Sequence, residues 1–162
     1  MLVVDTSAFI SLAVGNVLET VTSEFDIVTT DAVVDELEET AEYDDRHGTA
    51  ARNALKLGGD MRIIDVSGDA FVTSRIDSGE ASCVAAVREV DATFLITDDY
   101  RALPELRELV AVDVALSPIV LRALVNRGAL RKEEAKAAFE MIAQGRDWLE
   151  APIYRYARQL FE

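Results

Sequence analysis

The chain has 162 residues, half of them hydrophobic, which fits one domain with a buried core and excludes a disordered chain. One histidine, His47, and one cysteine, Cys83, exclude an internal disulfide and any metal site that needs two histidines. Thirty acidic and 16 basic side chains give a formal net charge of −14, which is typical of a protein kept soluble in a salt-rich cytoplasm such as that of a halophilic archaeon; the alternative is an acidic protein of a mesophile.

Short apolar runs alternate with helical patterns over the first 116 residues, and this order predicts an α/β domain with a parallel sheet. In chain order we predict a strand at 2–4, helices at 6–12 and 16–21, a strand at 26–28, helices at 31–43 and 45–57, a strand at 62–66, helices at 69–76 and 79–90 (capped by Ser78), a strand at 93–97, a helix at 100–109 and a strand at 110–114. The domain is predicted to span residues 1–116.

A helical C-terminal extension, residues 117–162, is predicted to pack on the same domain. Its helices are expected at 118–126, 132–144 and 150–161, separated by Gly128 and Gly145. Residues 118–162 hold eight basic and six acidic side chains, so the acidic excess lies in the rest of the chain. The aromatic-rich apolar stripes of these helices are interpreted as closing the domain's own core, and the alternative is a homodimer or antitoxin-binding face.

Several acids fall where strands or inward helix faces should place them together. Asp5 ends the first strand and Asp98 and Asp99 follow the fourth, and ligands of open α/β sheets bind at the carboxyl ends of strands. Glu80 lies on the apolar stripe of its predicted helix, and Glu36 sits against the buried edge of another. Each acid also has an ordinary alternative as a helix cap, a turn residue or part of a solvated face.

Converging carboxylates repel one another unless a cation such as Mg²⁺ or Mn²⁺ binds between them. Such a metal activates water and stabilises charge on phosphate, so the acids favour metal-dependent phosphodiester hydrolysis. The hydroxyls of Thr6, Ser7 and Thr97 are expected to hold the acids in place by hydrogen bonds. The chain has no P-loop motif and no glycine-rich dinucleotide-binding motif after a strand.

Four segments resemble the motifs of PIN-domain nucleases, the fold of VapC-type toxins, in the family's order. They are residues 3–10 (VVDTSAFI), 30–37 (TDAVVDEL), 78–82 (SGEAS) and 95–99 (LITDD). The resemblance implies a three-layer α/β/α fold around a mostly parallel five-stranded sheet and a Mg²⁺- or Mn²⁺-dependent ribonuclease. The catalytic acids that it implies are Asp5, Glu36, Glu80 and Asp99, and the metal ligands are Asp5, Glu80, Asp99 and Asp98.

The expected function is therefore a cytoplasmic endoribonuclease that cleaves RNA, with the toxin of a toxin–antitoxin pair as one form of it. The extension at 117–162 is longer than in compact VapC toxins, and it resembles that of a larger archaeal and bacterial PIN branch. The alternative function is a PIN-like module that binds RNA or protein without cutting. No apolar run approaches the roughly 20 residues of a membrane span, and the first residues lack the basic region of a signal peptide.

Overall fold

The computed structural model describes residues 1–66 and 75–162, which form an α/β fold around one five-stranded sheet. The strands are β1 (Leu2–Val4), β2 (Ile27–Thr30), β3 (Arg62–Ile64), β4 (Phe94–Ile96) and β5 (Asp113–Ala115). They are all parallel, in the order β3-β2-β1-β4-β5, with Val3 paired to Val28 on one side and to Leu95 on the other. Both neighbours of β1 are largely buried, as expected where helices cover a parallel sheet. The predicted fold class is confirmed.

Helices flank the sheet throughout the described chain. They are α1 (Thr6–Val14), α2 (Leu18–Glu24), α3 (Asp31–Ala41), α4 (Arg46–Lys56), α5 (Ser78–Glu89), α6 (Leu103–Leu109), α7 (Ser117–Asn126), α8 (Lys132–Gly145) and α9 (Pro152–Arg158), with short 3₁₀ turns at Gly58–Asp60 and Gln159–Phe161. α5 packs on β2, β1 and β4, while α4 packs on α1 and α3. In the described part of the chain, no helix has both the length and the apolar character needed to cross a membrane.

Some element boundaries differ from the sequence predictions. The helix predicted at 69–76 falls largely on residues 67–74, outside the described residues, and Arg75 and Ile76 are not helical. The cap of α5 is Asp77 rather than Ser78, because the Asp77 carboxylate accepts the Glu80 N–H at 2.9 Å. β5 starts at Asp113 rather than at residue 110, because the N–H of residue 110 still closes the last turn of α6.

The C-terminal helices share their apolar faces with the rest of the molecule. α8 packs on α1 and α7, and Phe139 of α8 is buried and stacks on Tyr154 and Phe161, with ring centroids 5.5 and 5.1 Å apart. Trp148 and Ile153 are buried as well. These contacts are those expected if the stripes close the domain's own core, and the boundary predicted at residue 116 stays a prediction.

Candidate active site

Four of the five acids chosen from the sequence meet at the carboxyl ends of β1 and β4. The Asp5 N–H donates a 2.9 Å hydrogen bond to the Ile96 carbonyl, which fixes the two strand ends side by side. β1 is the central strand, with β2 and then β3 on one side and β4 and then β5 on the other. The direction of the strand order therefore reverses at β1, and open α/β sheets bind ligands at the carboxyl ends of the strands beside such a point. A cleft of about 260 Å³ lies there. Its lining residues are Asp5, Thr6, Ser7, Ile10, Glu36, Thr40, His47, Asp77, Glu80, Asp99 and Arg146.

Asp5 is buried and held by hydroxyl groups from two strand ends. Its Oδ2 accepts hydrogen bonds from the Ser7 hydroxyl at 2.8 Å and from the Thr97 hydroxyl at 3.1 Å. It also caps α1 by accepting the Ser7 N–H at 3.4 Å. Ser7 Oγ in turn accepts the Asp98 N–H at 2.9 Å. The rotamer of the Asp5 carboxylate is therefore set by bonds that cross from β1 to β4.

Glu36 reaches the cleft from α3 and is held by groups on α1 and α5. The Thr6 hydroxyl donates to Glu36 Oε2 at 2.5 Å, and the Gly79 N–H donates to the same carboxylate. A Cβ at Gly79 would lie 2.7 Å from Glu36 Cδ, so the carboxylate occupies the space that any other side chain there would need. The positive end of the α5 dipole favours an anion at this position.

Glu80 and Asp99 form the third part of the cleft. Glu80 is buried in the first turn of α5, where its Oε2 accepts the Asp77 N–H at 3.1 Å in a capping box. Asp99 comes from the segment after β4, and its Oδ1 accepts the N–H groups of Arg101 and Ala102 at 3.1 and 3.2 Å. A hydrogen bond also joins the Glu80 and Asp99 side chains.

Asp98 does not join the other acids. Its side chain is buried away from the cleft lining, and its Oδ1 accepts the Ser117 N–H at 2.7 Å at the start of α7. Neighbouring residues after a strand point to opposite sides, so Asp98 and Asp99 diverge. The structure therefore brings together Asp5, Glu36, Glu80 and Asp99, with Asp98 facing α7.

A family model described as a PIN domain (DUF3368) matches residues 1–162. The chain belongs to the PIN-domain family. PIN domains are generally nucleases that act on nucleic acid and use divalent metal ions. The comparisons with curated proteins and with solved structures gave no match.

Burial raises the pKa of three acids that line the cleft of this PIN domain. Burial raises the pKa of Asp5 to about 6, against the lowering effect of the Ser7 hydroxyl, and raises that of Glu36 to about 7, against the Thr6 hydroxyl. The pKa of Glu80 rises to about 9, first through burial and then through the hydrogen bond with Asp99 and the charge of Asp5. The protein thus holds several carboxyl groups where their charged forms are costly, which is common at functional sites.

The donor set fits a hard divalent cation in its chemistry, because Asp5, Glu80 and Asp99 offer only carboxylate oxygens. Among residues 1–66 and 75–162, no three acidic, histidine or cysteine side chains are already spaced to hold an ion. The raised pKa of Glu80 opposes cation binding at neutral pH, since carboxyl groups must be deprotonated to bind a metal.

Three titratable residues of the cleft lining were not predicted as site residues from the sequence: Asp77, His47 and Arg146. Asp77 is one position before the predicted cap, and aspartate and serine are equally good at that position. His47 is half-buried, and its Nε2 lies 3.0 Å from the Gly145 carbonyl oxygen. Arg146 enters from the end of α8, and no sequence signal connects it to Asp5.

Proposed function

We propose that this PIN domain is a metal-dependent endoribonuclease that hydrolyses RNA phosphodiester bonds. The observation that carries the proposal is the convergence of Asp5, Glu36, Glu80 and Asp99, from four separate chain segments, on one cleft at the switch point of the sheet. The raised pKa values of Asp5, Glu36 and Glu80 support it, because an acidic cluster of this kind is costly to fold and gains from a bound cation.

In this proposal Asp5, Glu80 and Asp99 hold Mg²⁺ or Mn²⁺, and Asp98 is left out because Ser117 engages its carboxylate. When bound, the cation supplies a water of lowered pKa and stabilises the charge that develops on phosphate oxygens. The hydroxyls of Ser7 and Thr97 orient the Asp5 carboxylate. Loss of a supporting hydrogen bond of this type commonly reduces metal affinity or activity about tenfold to a hundredfold.

Glu36 has a different position from the other three acids. It is held by the Thr6 hydroxyl and the Gly79 N–H, and its pKa of about 7 lets it accept a proton near neutral pH. We assign to Glu36 the role of positioning the attacking water and accepting its proton. The antitoxin partner and the homodimer stay predictions.

The experiment is cleavage of end-labelled single-stranded and hairpin RNAs in Mn²⁺ or Mg²⁺ at high salt, by wild type and by Asp5→Asn. We expect EDTA to abolish cleavage and Asp5→Asn to reduce it at least about a hundredfold, because a ligand to the metal is lost. On α3, Glu36→Gln is expected to reduce cleavage, whereas Asp35→Asn, an exposed neighbour on the same helix, is the matched control that leaves it unchanged.

Cleavage that survives EDTA, or that proceeds equally fast in Asp5→Asn, would contradict the proposal. RNA binding by wild type without any metal-dependent cleavage would favour the alternative, a PIN-like module that no longer cuts. Among the described side chains no cluster is already spaced to hold a cation. A gel that separates bound, free and cleaved RNA in one run distinguishes binding alone from cleavage.

A further inference from the structure

Arg146 is a cation without a partner in the wall of the acidic cleft. It lines the cleft beside Asp5 and is half-buried, and its Nε is fully enclosed and hydrogen-bonded to nothing. Within the described ranges its guanidinium makes no ion pair within 4.0 Å and no hydrogen bond. A buried guanidinium is costly unless its five N–H donors find acceptors, so these donors are available to a ligand.

Burial lowers the pKa of the Arg146 guanidinium, and the charges of Asp98 and Asp5 oppose this effect by favouring its charged form. Asp98 Oδ2 also has no hydrogen-bond partner although it is buried, so the arginine is not locked onto this carboxylate. Negative charges therefore stabilise the charged form of Arg146, but among the described residues it forms no ion pair. This is the arrangement needed to bind an external anion.

The backbone fixes the position of Arg146. It is the C-cap of α8, and the next two residues complete a Schellman motif, with the Trp148 N–H donating to the Ala143 carbonyl at 2.9 Å. His47 of α4 lies 3.0 Å from the Gly145 carbonyl oxygen. A Cβ at Gly145 would lie 2.5 Å from Val14 Cγ1, so glycine lets the end of α8 approach α1 closely.

A cation in the acidic cleft is needed if the phosphate of RNA is to bind there. Five acidic side chains line the cleft, and without a counter-charge their field opposes the approach of RNA. Arg146 is the only arginine or lysine of the cleft lining among the described residues. It comes from residues 118–162, the part of the chain in which basic side chains outnumber acidic ones.

We propose that Arg146 binds a phosphate of the RNA substrate, so that the C-terminal helices supply the cleft with its anion-binding residue. The inference rests on the proposed function for its substrate class. Arginine presents paired N–H donors that match two phosphate oxygens, which lysine cannot reproduce. The contact also orients the RNA backbone over the carboxylates without reading its sequence.

The test measures binding rather than cleavage. A pool of fluorescein-labelled single-stranded RNAs of random sequence is titrated in Mn²⁺, with Asp5→Asn as the background so that bound RNA is not consumed. We expect Arg146→Gln to weaken binding by about tenfold to a hundredfold, the cost of losing a charge-assisted contact. The slope of log affinity against log salt should fall by about one, and Arg146→Lys should recover part of the affinity.

Arg155→Gln is the matched control, because Arg155 is exposed on α9 and its loss changes the net charge equally. Equal affinities of Arg146→Gln and Arg155→Gln would overturn the inference, and so would RNA binding that Arg146→Gln weakens only in proportion to a loss of folded protein in thermal unfolding. Cleavage by the Asp5→Asn background would instead overturn the proposed function. In that case the same affinity ratio, taken with EDTA, still decides the role of Arg146.

Discussion

Gly79 is the single residue on which the position of Glu36 depends most directly. The Glu36 carboxylate accepts the Gly79 N–H and fills the space beside it, leaving no room for a Cβ. Glycine here is therefore explained by the close approach of the Glu36 side chain, since Gly79 is the second residue of α5 and alanine is otherwise the better helix former.

We expect Gly79→Ala to slow RNA cleavage by about tenfold to a hundredfold, because the added methyl group displaces the Glu36 carboxylate. Thermal unfolding should change little or shift upward, since alanine is favoured over glycine in a helix by up to about 1 kcal/mol. Initial rates and melting curves of the same samples measure both effects. The double variant Gly79→Ala/Glu36→Gln should be no slower than Glu36→Gln alone, and an additional loss would show that Gly79 acts on another group.

At this scale the sequence predicted the convergence of Asp5, Glu36, Glu80 and Asp99, because strand ends and an inward helix stripe determine where a side chain goes. It did not separate Asp98 from Asp99, since the divergence of two neighbours depends on where β4 ends and on the Ser117 N–H.

At the scale of elements, three helices end in the same way. After α1, α7 and α8, the residue beyond the C-cap takes a positive φ, which is 57° at Asn16, 76° at Gly128 and 55° at Asp147. The N–H of the following residue closes a Schellman bond in each case, at 2.9 to 3.1 Å. The sequence predicted the ends of α7 and α8 through Gly128 and Gly145, but of these two glycines only Gly128 takes the left-handed conformation.

Asp147→Gly is expected to raise the free energy of unfolding by up to about 1 kcal/mol, because glycine adopts a positive φ without the steric cost that aspartate bears. Urea unfolding measures this change. Asp147→Val is the opposite control and should destabilise, since a β-branched residue tolerates this conformation poorly. RNA cleavage by Asp147→Gly should stay at the wild-type rate, as the motif that positions Arg146 is kept; destabilisation by glycine would contradict this account of the α8 end.

The sequence predicted the presence of the strands and of α6 more accurately than the residues at which β5 and α6 begin. Apolar runs identified all five strands, but β5 was placed three residues early because the apolar residues at 110 and 112 belong to the end of α6 and the turn after it. The start of α6 was also placed early, because Asp99 forms a turn with Arg101 and Ala102 before the helix begins. Both shifts come from local hydrogen bonds that periodicity does not report.

At the scale of the whole molecule, the sheet order explains which contacts could be predicted. Neighbouring strands bring Asp5 and Asp99 together from segments about 90 residues apart, and a parallel α/β pattern implies such meetings. The contribution of Arg146 depends instead on how α8 packs against α1 and α4, which no pattern in the chain specifies. The sequence thus predicted four of the five acids that line the cleft, but neither Asp77 nor Arg146.

The clustered acids also predict how the stability of the whole protein depends on pH. Burial raises the pKa of Asp5 from 3.8 to about 6, so between these values the folded state binds more protons than the unfolded state. The free energy of unfolding must therefore fall as pH rises through this window, and the full penalty above it is about 3 kcal/mol for Asp5. Glu36 and Glu80 act in the same direction, since their pKa values are raised too.

Asp5→Asn removes this penalty while keeping the shape of the side chain, so we expect the metal-free variant to be more stable than wild type at about pH 8. The difference between the two should shrink by about 1–2 kcal/mol at about pH 5, where Asp5 of the folded wild type is mostly protonated. Urea unfolding in EDTA at both pH values measures this difference in the free energy of unfolding, and comparing the two proteins cancels the titration of the remaining acids.

Saturating Mn²⁺ at pH 8 should raise the stability of wild type more than that of Asp5→Asn, because only the charged carboxylate gains from a cation. A variant that is less stable than wild type at pH 8, or a difference that is the same at both pH values, would show that the buried Asp5 carboxyl does not carry the electrostatic cost from which its role in metal binding is inferred.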